Sequence, residues 1–368
     1  MIDDHAHPFA LTTDRLSFDE LTLDVGTDPG AGARRAALAP GRITTEVLRV
    51  RLARLLECAP EDVEEVRAER ARDWPTYLRT LFDDVGLDAM LLDGGPHRIE
   101  STQIAAYQAA AGASIGLLLR FEAVIDPTLD AGASADEVLA AVEAAVSEAA
   151  ASGYAGAKTV LAYRTGLAVD PQATVADARR SLVDGAELPV RRRGKALRDL
   201  IFRRAVAQCG ELGLPVQVHT GFGDSDLRLG DGEPVALDAA LRCPEVERGR
   251  VVLIHAGYPW HEQVAYLASV RRCVWAEFSL VNLVSPITTA DRLLRLIDLA
   301  PARRVLVGSD GHGAPETHWF ALAVLRDAWN EIAERLGPVV RARWLDDVER
   351  AIFAENAREI YGNGLADL

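Results

Sequence analysis

Lysine is almost missing: this chain of 368 residues has two lysines, Lys158 and Lys195, against 38 arginines. Arginine serves wherever a plain surface cation is needed. A lysine that remains raises the question of what an amine does there that a guanidinium cannot. Cysteine is scarce too. Cys58, Cys209, Cys243 and Cys273 lie far apart with no CxxC pair, which excludes a disulfide framework and reads as buried thiols in a reducing compartment. Long apolar runs are absent, since the alanine-rich stretch 138–151 is broken by Glu143 and Glu148 and falls short of the ~20 residues a membrane span needs. The sequence Met-Ile-Asp-Asp-His opens directly on a strand and leaves no room for a signal peptide, so the expected compartment is the cytoplasm. Positive charge is in deficit: the net charge of −15 and pI of about 5.0 argue against nucleic acid or an anionic membrane as partner. A small-molecule substrate remains as the expected partner, with a homo-oligomer left open.

Short β-rich runs alternate with helical patterns, the signature of parallel βα units. Strands are expected at Ile2–Ala6, Ala89–Leu92, Leu118–Ile125, Gly156–Ala162, Pro215–His219, Val251–His255, Val274–Phe278 and Val305–Gly308. Helical patterns fill about 135–151, 192–212, 233–243, 261–271 and 289–299. Eight near-continuous apolar strands suit an α/β fold closed as a (β/α)₈ TIM-type barrel, with residues 1–368 as one domain. A doubly wound open sheet is the alternative, but no GxGxxG follows the first strand. The first connection is unusually long. Residues 10–85 are read as a helical insertion between strands 1 and 2, with apolar residues at helical spacing in 43–57 and 60–82. Such an insertion can close over the barrel mouth as a lid or stand as a buttress on the barrel's side.

The chemistry gathers at strand ends. His5-Ala6-His7 closes the first strand, and residues i and i+2 point to the same side. His219, His255 and Asp310 close strands five, six and eight in the same manner, each an apolar run followed by one metal-competent side chain. Catalytic groups of such barrels come from the C-terminal ends of strands. Of eight histidines, four sit at these ends. A lone strand-end histidine is ordinary; four with Asp310 at matching positions point to a divalent metal. Imidazole and carboxylate ligands suit zinc, with manganese or iron as alternatives. Such an ion acidifies a bound water toward a pKa of about 7. Asp310 is the expected proton acceptor, and His255 is either a further ligand or an acid. Lys158, on the fourth strand, is a poor neighbour for a cation as an ammonium. It fits as a neutral amine or as a carbamate formed with CO₂. Arg120 and Glu122 are placed on strand three with period-two spacing, and Arg164 follows strand four. Either arginine can pair with a substrate carboxylate, or can seal the barrel in an ion pair. His312 can reach the substrate or the acidified water. Trp275, Glu277 and Ser279 are candidate lining residues, and Lys195 is read as part of a solvated face.

The residues quoted resemble the amidohydrolase superfamily, and more narrowly its amidohydrolase-2 type. The resemblance is carried by Asp4-His5-Ala6-His7, by Lys158, by 213–224 around His219, by His255-Ala256-Gly257-Tyr258-Pro259 and by Gly308-Ser309-Asp310-Gly311-His312 with Pro315-Glu316. Tyr163-Arg164-Thr165-Gly166-Leu167 is similar to the amidohydrolase half of amidohydrolase–glutamine synthetase fusion proteins. The resemblance implies metal ligands from strands one, four, five, six and eight: His5, His7, Lys158, His219, His255 and Asp310. It implies one or two metals per chain, two where the lysine is carbamylated. The activity it implies is hydrolysis of an amide-type C–N bond, a γ-glutamyl amide being the best single substrate. The alternative is metal-dependent, non-oxidative decarboxylation of a small carboxylic acid, with His255 delivering the proton; a silent, metal-stabilised barrel is a third reading.

Overall fold

The computed structural model describes residues 1–11, 30–96 and 99–362. Eight parallel strands follow one another around a barrel in sequence order: β1 Ile2–Ala6, β2 Ala89–Asp93, β3 Ser114–Arg120, β4 Gly156–Thr159, β5 Val216–His219, β6 Val251–Ile254, β7 Val274–Phe278 and β8 Val305–Val307. At the seam between β8 and β1, the Asp310 N–H donates to the His5 carbonyl (2.8 Å) and the Ser309 N–H to the Asp3 carboxylate (2.8 Å). The fold is a TIM barrel.

Side chains alternate between two cores, as strand geometry requires. On β6, Val251 and Leu253 pack outward among the helices, while Val252 and Ile254 join Ile2, Leu91, Leu118 and Leu306 inside the barrel. Ile360 and Tyr361 of the C-terminal helix Asn356–Tyr361 belong to that inner cluster. The same parity carries Asp93, Arg120, Lys158, His219 and Glu277 to the inside, above the apolar floor.

Two strands depart from the sequence reading by more than one residue. β3 runs Ser114–Arg120 and not Leu118–Ile125; the helix Glu122–Asp130 follows. The Phe121 N–H donates to the Lys158 carbonyl, and the chain then turns, so Glu122 is not a strand residue. β4 stops at Thr159 and a single tight turn, Leu161–Tyr163, takes its place. The pattern over 60–82 divides into Val63–Arg70 and Trp74–Val85, because Asp73 accepts from the Thr76 N–H and Pro75 occupies the first turn of a new helix. The pattern over 233–243 is two short pieces, Pro234–Leu237 and Asp238–Leu241.

Between β1 and β2 the described residues hold the helices Ala31–Leu38, Ile43–Leu55, Val63–Arg70 and Trp74–Val85. The last two lie against the long helix Pro315–Leu336 through a buried Arg67–Glu316 ion pair (2.7 Å), the Tyr77 hydroxyl on Glu316 (2.7 Å) and the Trp319 indole on Asp84 (2.8 Å). The part of the insertion at 12–29 lies outside the described residues. No helix among the described residues is long and apolar enough to cross a membrane.

Candidate metal centre

The side chains singled out at strand ends converge at one barrel mouth. His5 and His7 arrive there through an irregularity: Ile2 points into the barrel and Ala6 outward, so the parity switches within β1, at the register shift between Asp3 and Ala6. His255 follows the inward-facing Ile254 and by alternation would face the helices. Instead it sits at φ +66°, and its ring lies 5.4 Å from that of His5 and 4.5 Å from that of His219. Asp310 takes φ +52° after Gly308. A Cβ on Gly308 would stand 2.9 Å from the His5 nitrogen, so only glycine lets β8 pass this close to β1. Left-handed backbone at two non-glycine site residues is strain of the kind functional sites retain.

The distances are short. His5 Nε2 is 3.1 Å from Asp310 Oδ1 and 3.0 Å from Lys158 Nζ; His7 Nε2 is 3.5 Å from the same Asp310 oxygen. His255 Nε2 is 3.1 Å from His219 Nδ1. Potential ligand atoms of His5, His255 and Asp310 lie within 4.8 Å of one another, and so do those of His5, His7 and Asp93.

Backbone carbonyls fix which imidazole nitrogens carry hydrogen, because a carbonyl can only accept. His219 Nε2 faces the Phe222 carbonyl at 3.0 Å, so it donates and Nδ1 is bare. His7 Nδ1 donates to the Asp93 carbonyl at 2.9 Å, which turns Nε2 toward Asp310. Ser279 gives its hydroxyl hydrogen to Glu277 (2.8 Å), so its oxygen accepts from His255 Nδ1 (2.8 Å) and His255 Nε2 is bare as well. Two nitrogen lone pairs therefore meet at 3.1 Å between His219 and His255. That juxtaposition is repulsive by itself and fits a shared cation. Burial keeps three of the imidazoles neutral: it pushes His5 down to about 4, with Lys158 adding to the shift, and holds His219 and His255 well below the usual histidine range; His7 is raised instead, because although burial lowers it, Asp310 and Asp93 outweigh that. A neutral, bare nitrogen is what a metal ligand requires. The residues present fit a divalent ion.

Lys158 is buried inside the barrel. Burial lowers its amine to about 8 against the pull of Asp93, 3.6 Å away. Asp93 closes β2 and was not among the residues the sequence singled out. Although burial raises it, Arg120 and Lys158 together hold its carboxyl well below the usual range. Arg120 donates Nε to both Asp93 oxygens (3.1 and 3.0 Å) and Nη2 to one of them, the sealing ion pair. Arg164 gives Nε to Asp126 (2.9 Å). Glu122 accepts from the Thr159 hydroxyl (2.6 Å) and the Val160 N–H (3.0 Å). His312 turns Nδ1 toward the Asp310 carbonyl (3.1 Å). Lys195 pairs with Asp199 (2.6 Å), away from the mouth. His97 lies outside the described residues.

A cavity of about 830 Å³ opens over the cluster, lined by His7, Lys158, His219, His255, Asp310 and His312 and by Arg120, Tyr163, Arg164 and Asp224 on one wall. Among the described residues, 30–85 contribute no lining side chain.

Comparison with known proteins places this arrangement. The chain is 26% identical over 370 residues to the protein fluG of Emericella nidulans, a match covering 90% of this chain and 42% of that protein. This chain therefore spans about two fifths of the length of that relative. Among solved structures, it superposes on a protein described as a metal-dependent hydrolase from Lactobacillus casei with a TM-score of 0.83, at 22% identity over 98% of this chain and 95% of the other. It superposes on a uronate isomerase from Thermotoga maritima with a TM-score of 0.70, at 12% identity over 98% and 94%. At these identities the likeness is one of fold. The sequence profile described as Amidohydrolase matches residues 2–363, essentially the whole chain, and the protein belongs to the amidohydrolase family.

Proposed function

We propose that this barrel is a metal-dependent hydrolase that cleaves an amide-type C–N bond of a small polar substrate. The observation that carries the reading is the meeting of bare imidazole nitrogens around the Asp310 carboxylate. His5, His7, His219, His255 and Asp310 would hold the ion, with Lys158 beside them. Zinc suits the donors best, manganese or iron being alternatives. A divalent ion bound there supplies Lewis-acid polarisation of a carbonyl and a water acidified toward neutrality.

The chain's own groups do the rest. Asp310 takes the proton of the attacking water and passes it to the departing nitrogen. His312, bare at Nε2, accepts a hydrogen bond from the substrate's N–H. Arg164 faces the substrate, whereas Arg120 grips Asp93 through Nε and Nη2 and orients that carboxylate toward Lys158. A γ-glutamyl amide is the first candidate substrate, supported by the likeness to fluG and by the Tyr163–Leu167 segment.

Lys158 also supports a second reading. Asp93 already offers its amine an anion, which favours an uncarbamylated lysine and a single metal, the arrangement expected of a decarboxylase. That reaction needs a proton on His255 Nε2, however, and the Ser279 contact favours a hydrogen on Nδ1. Hydrolysis is the better supported of the two. The test is release of amine from a panel of primary and γ-glutamyl amides by chelator-stripped and zinc-reloaded protein. Turnover restored by zinc upholds the reading. Absence of turnover on amides, with CO₂ released from small carboxylic acids, replaces it by the second.

A further inference from the structure

Away from the histidine cluster, most polar groups on the cavity wall already have partners. Arg120 is taken by Asp93, and Glu122 by Thr159 and Val160. Asp126 receives both Arg164 Nε (2.9 Å) and Arg198 Nη2 (2.7 Å). Arg191 meets Asp226 at 2.7 Å, and Asp130 stands in open solvent. Arg164 and Asp224 are held less fully than these. Among the described residues no protein acceptor meets either terminal nitrogen of Arg164, whose side chain is 9% exposed. Likewise no donor meets the Asp224 carboxylate, although the Asp224 N–H is bound to the Tyr163 phenol oxygen at 2.9 Å.

The two groups carry opposite charge. Arg164 and Arg198 share Asp126, with Glu122 as a second carboxylate acting on Arg164, and Arg164 is bound through Nε alone, so its two terminal nitrogens face the cavity without an acceptor. Asp224 has Asp310 and Asp226 as charged neighbours; burial first, then these two, push its carboxyl up to about 6. It remains an anion at neutral pH. Both line the same cavity, and Tyr163, which holds the Asp224 backbone, adjoins Arg164 in the chain. A neutral ligand would leave both charges desolvated without a partner, and a simple anion would leave Asp224 so.

We propose that the cavity binds a small zwitterion, its carboxylate on Arg164 and its ammonium on Asp224, the pattern of an amino-acid head group. The inference rests on the reading of this cavity as the substrate site. It gives Arg164 and Asp224 separable jobs: one discriminates against a blocked carboxylate, the other against a blocked amine.

The test uses the protein as purified, with its metal. The common amino acids are screened by thermal shift, and the best binder is compared by calorimetry with its N-acetyl and carboxamide forms. The free amino acid should bind roughly tenfold to a hundredfold tighter than either blocked form, the range for a charged hydrogen bond. Arg164→Met should narrow only the gap to the carboxamide, and Asp224→Asn only the gap to the N-acetyl form. Asp224→Asn, on a partly exposed loop, keeps the test available if Arg164→Met fails to fold. The proposal is overturned if no amino acid binds, if blocked forms bind as tightly, or if Asp224→Asn leaves the N-acetyl gap intact. Amide turnover on the same protein separates the two readings. Hydrolysis of neutral amides without amino-acid binding overturns the zwitterion site alone, and amino-acid binding without hydrolysis of any amide removes the hydrolase reading alone.

Discussion

Ser279 makes no contact with the cavity's open space, yet its removal should weaken metal binding. Its oxygen is the acceptor for His255 Nδ1 at 2.8 Å, and both residues are essentially fully buried. In Ser279→Ala the imidazole has two choices. It can keep its hydrogen on Nδ1, now buried without an acceptor, which costs about 1–3 kcal/mol. Or it can move the hydrogen to Nε2, pointing it at His219 Nδ1 and removing the lone pair offered to the ion. The cheaper route sets the loss, so the first figure is its ceiling. At about 1.4 kcal/mol per tenfold, zinc affinity should fall roughly 5- to 100-fold, in line with the usual effect of removing a group that orients a metal ligand. Competition with a chromogenic chelator measures this directly. Ser279→Thr, which keeps the hydroxyl, should recover most of the affinity. Equal zinc affinity in wild type and Ser279→Ala would refute the assignment of hydrogen to Nδ1, and with it the argument that His219 and His255 face each other as bare nitrogens.

Three further outcomes are expected. Arg67→Met leaves Glu316 buried without its cation, at a cost of about 3–5 kcal/mol; with an unfolding entropy of about 2 cal/mol/K per residue, the melting temperature should drop by roughly 5 °C in calorimetry. A drop under about 1 °C would show that the pair contributes little to docking the insertion helices. His318 is buried, with Nε2 against the His7 carbonyl (2.9 Å), and burial lowers it to about 4. The unfolded chain therefore takes up this proton near pH 6.5 and the folded one does not, so its stabilising contribution is complete above pH 6.5 and is lost as the pH falls toward 4. Wild type should lose roughly 3 kcal/mol more than His318→Gln across that window in urea unfolding, and parallel pH profiles would contradict it. Finally, Asp93→Asn removes the anion shared by Arg120 and Lys158. Its substrate KM should rise less than its metal affinity falls, since Asp93 acts on the lysine beside the ion; the reverse order would place Arg120, freed of its partner, on the substrate.

Much of the barrel was readable because its strands are short, apolar on both faces and spaced by helices; β1 and β7 have the boundaries expected from their residues. The strand-end histidines and Asp310 were readable for the same reason, since position at the end of an apolar run tells where a side chain emerges. What escaped depended on neighbours distant in sequence. β3 was placed too late because Phe121–Ile125 is as apolar as a strand, and only the bond from Phe121 to Lys158 across the sheet ends it. Asp93 was missed although Ala89 and Leu91 share its parity, because nothing in its own segment announces Arg120 as partner. Arg120 and Arg164 look equivalent in sequence, and only the carboxylates opposite them separate a guanidinium that grips Asp93 with Nε and Nη2 from one bound to Asp126 through Nε alone. The hydrogens on His7 Nδ1 and His219 Nε2 depend on the carbonyls of Asp93 and Phe222, whose orientation no residue type encodes. The resemblance to amidohydrolases supplied the ligand set, and the carbonyl geometry supplied a physical reason why those nitrogens suit a cation.

The central claim is that this cluster holds a divalent metal. Elemental analysis of protein purified without chelator, on wild type, Asp310→Asn and Lys158→Ala, tests it most directly. The account predicts one or two equivalents of a divalent transition metal per wild-type chain and a clear loss in Asp310→Asn. A fall from two to one in Lys158→Ala would mark a carbamate-bridged pair. Wild-type protein that carries no metal, and takes none up when zinc, manganese or iron is added, would contradict it.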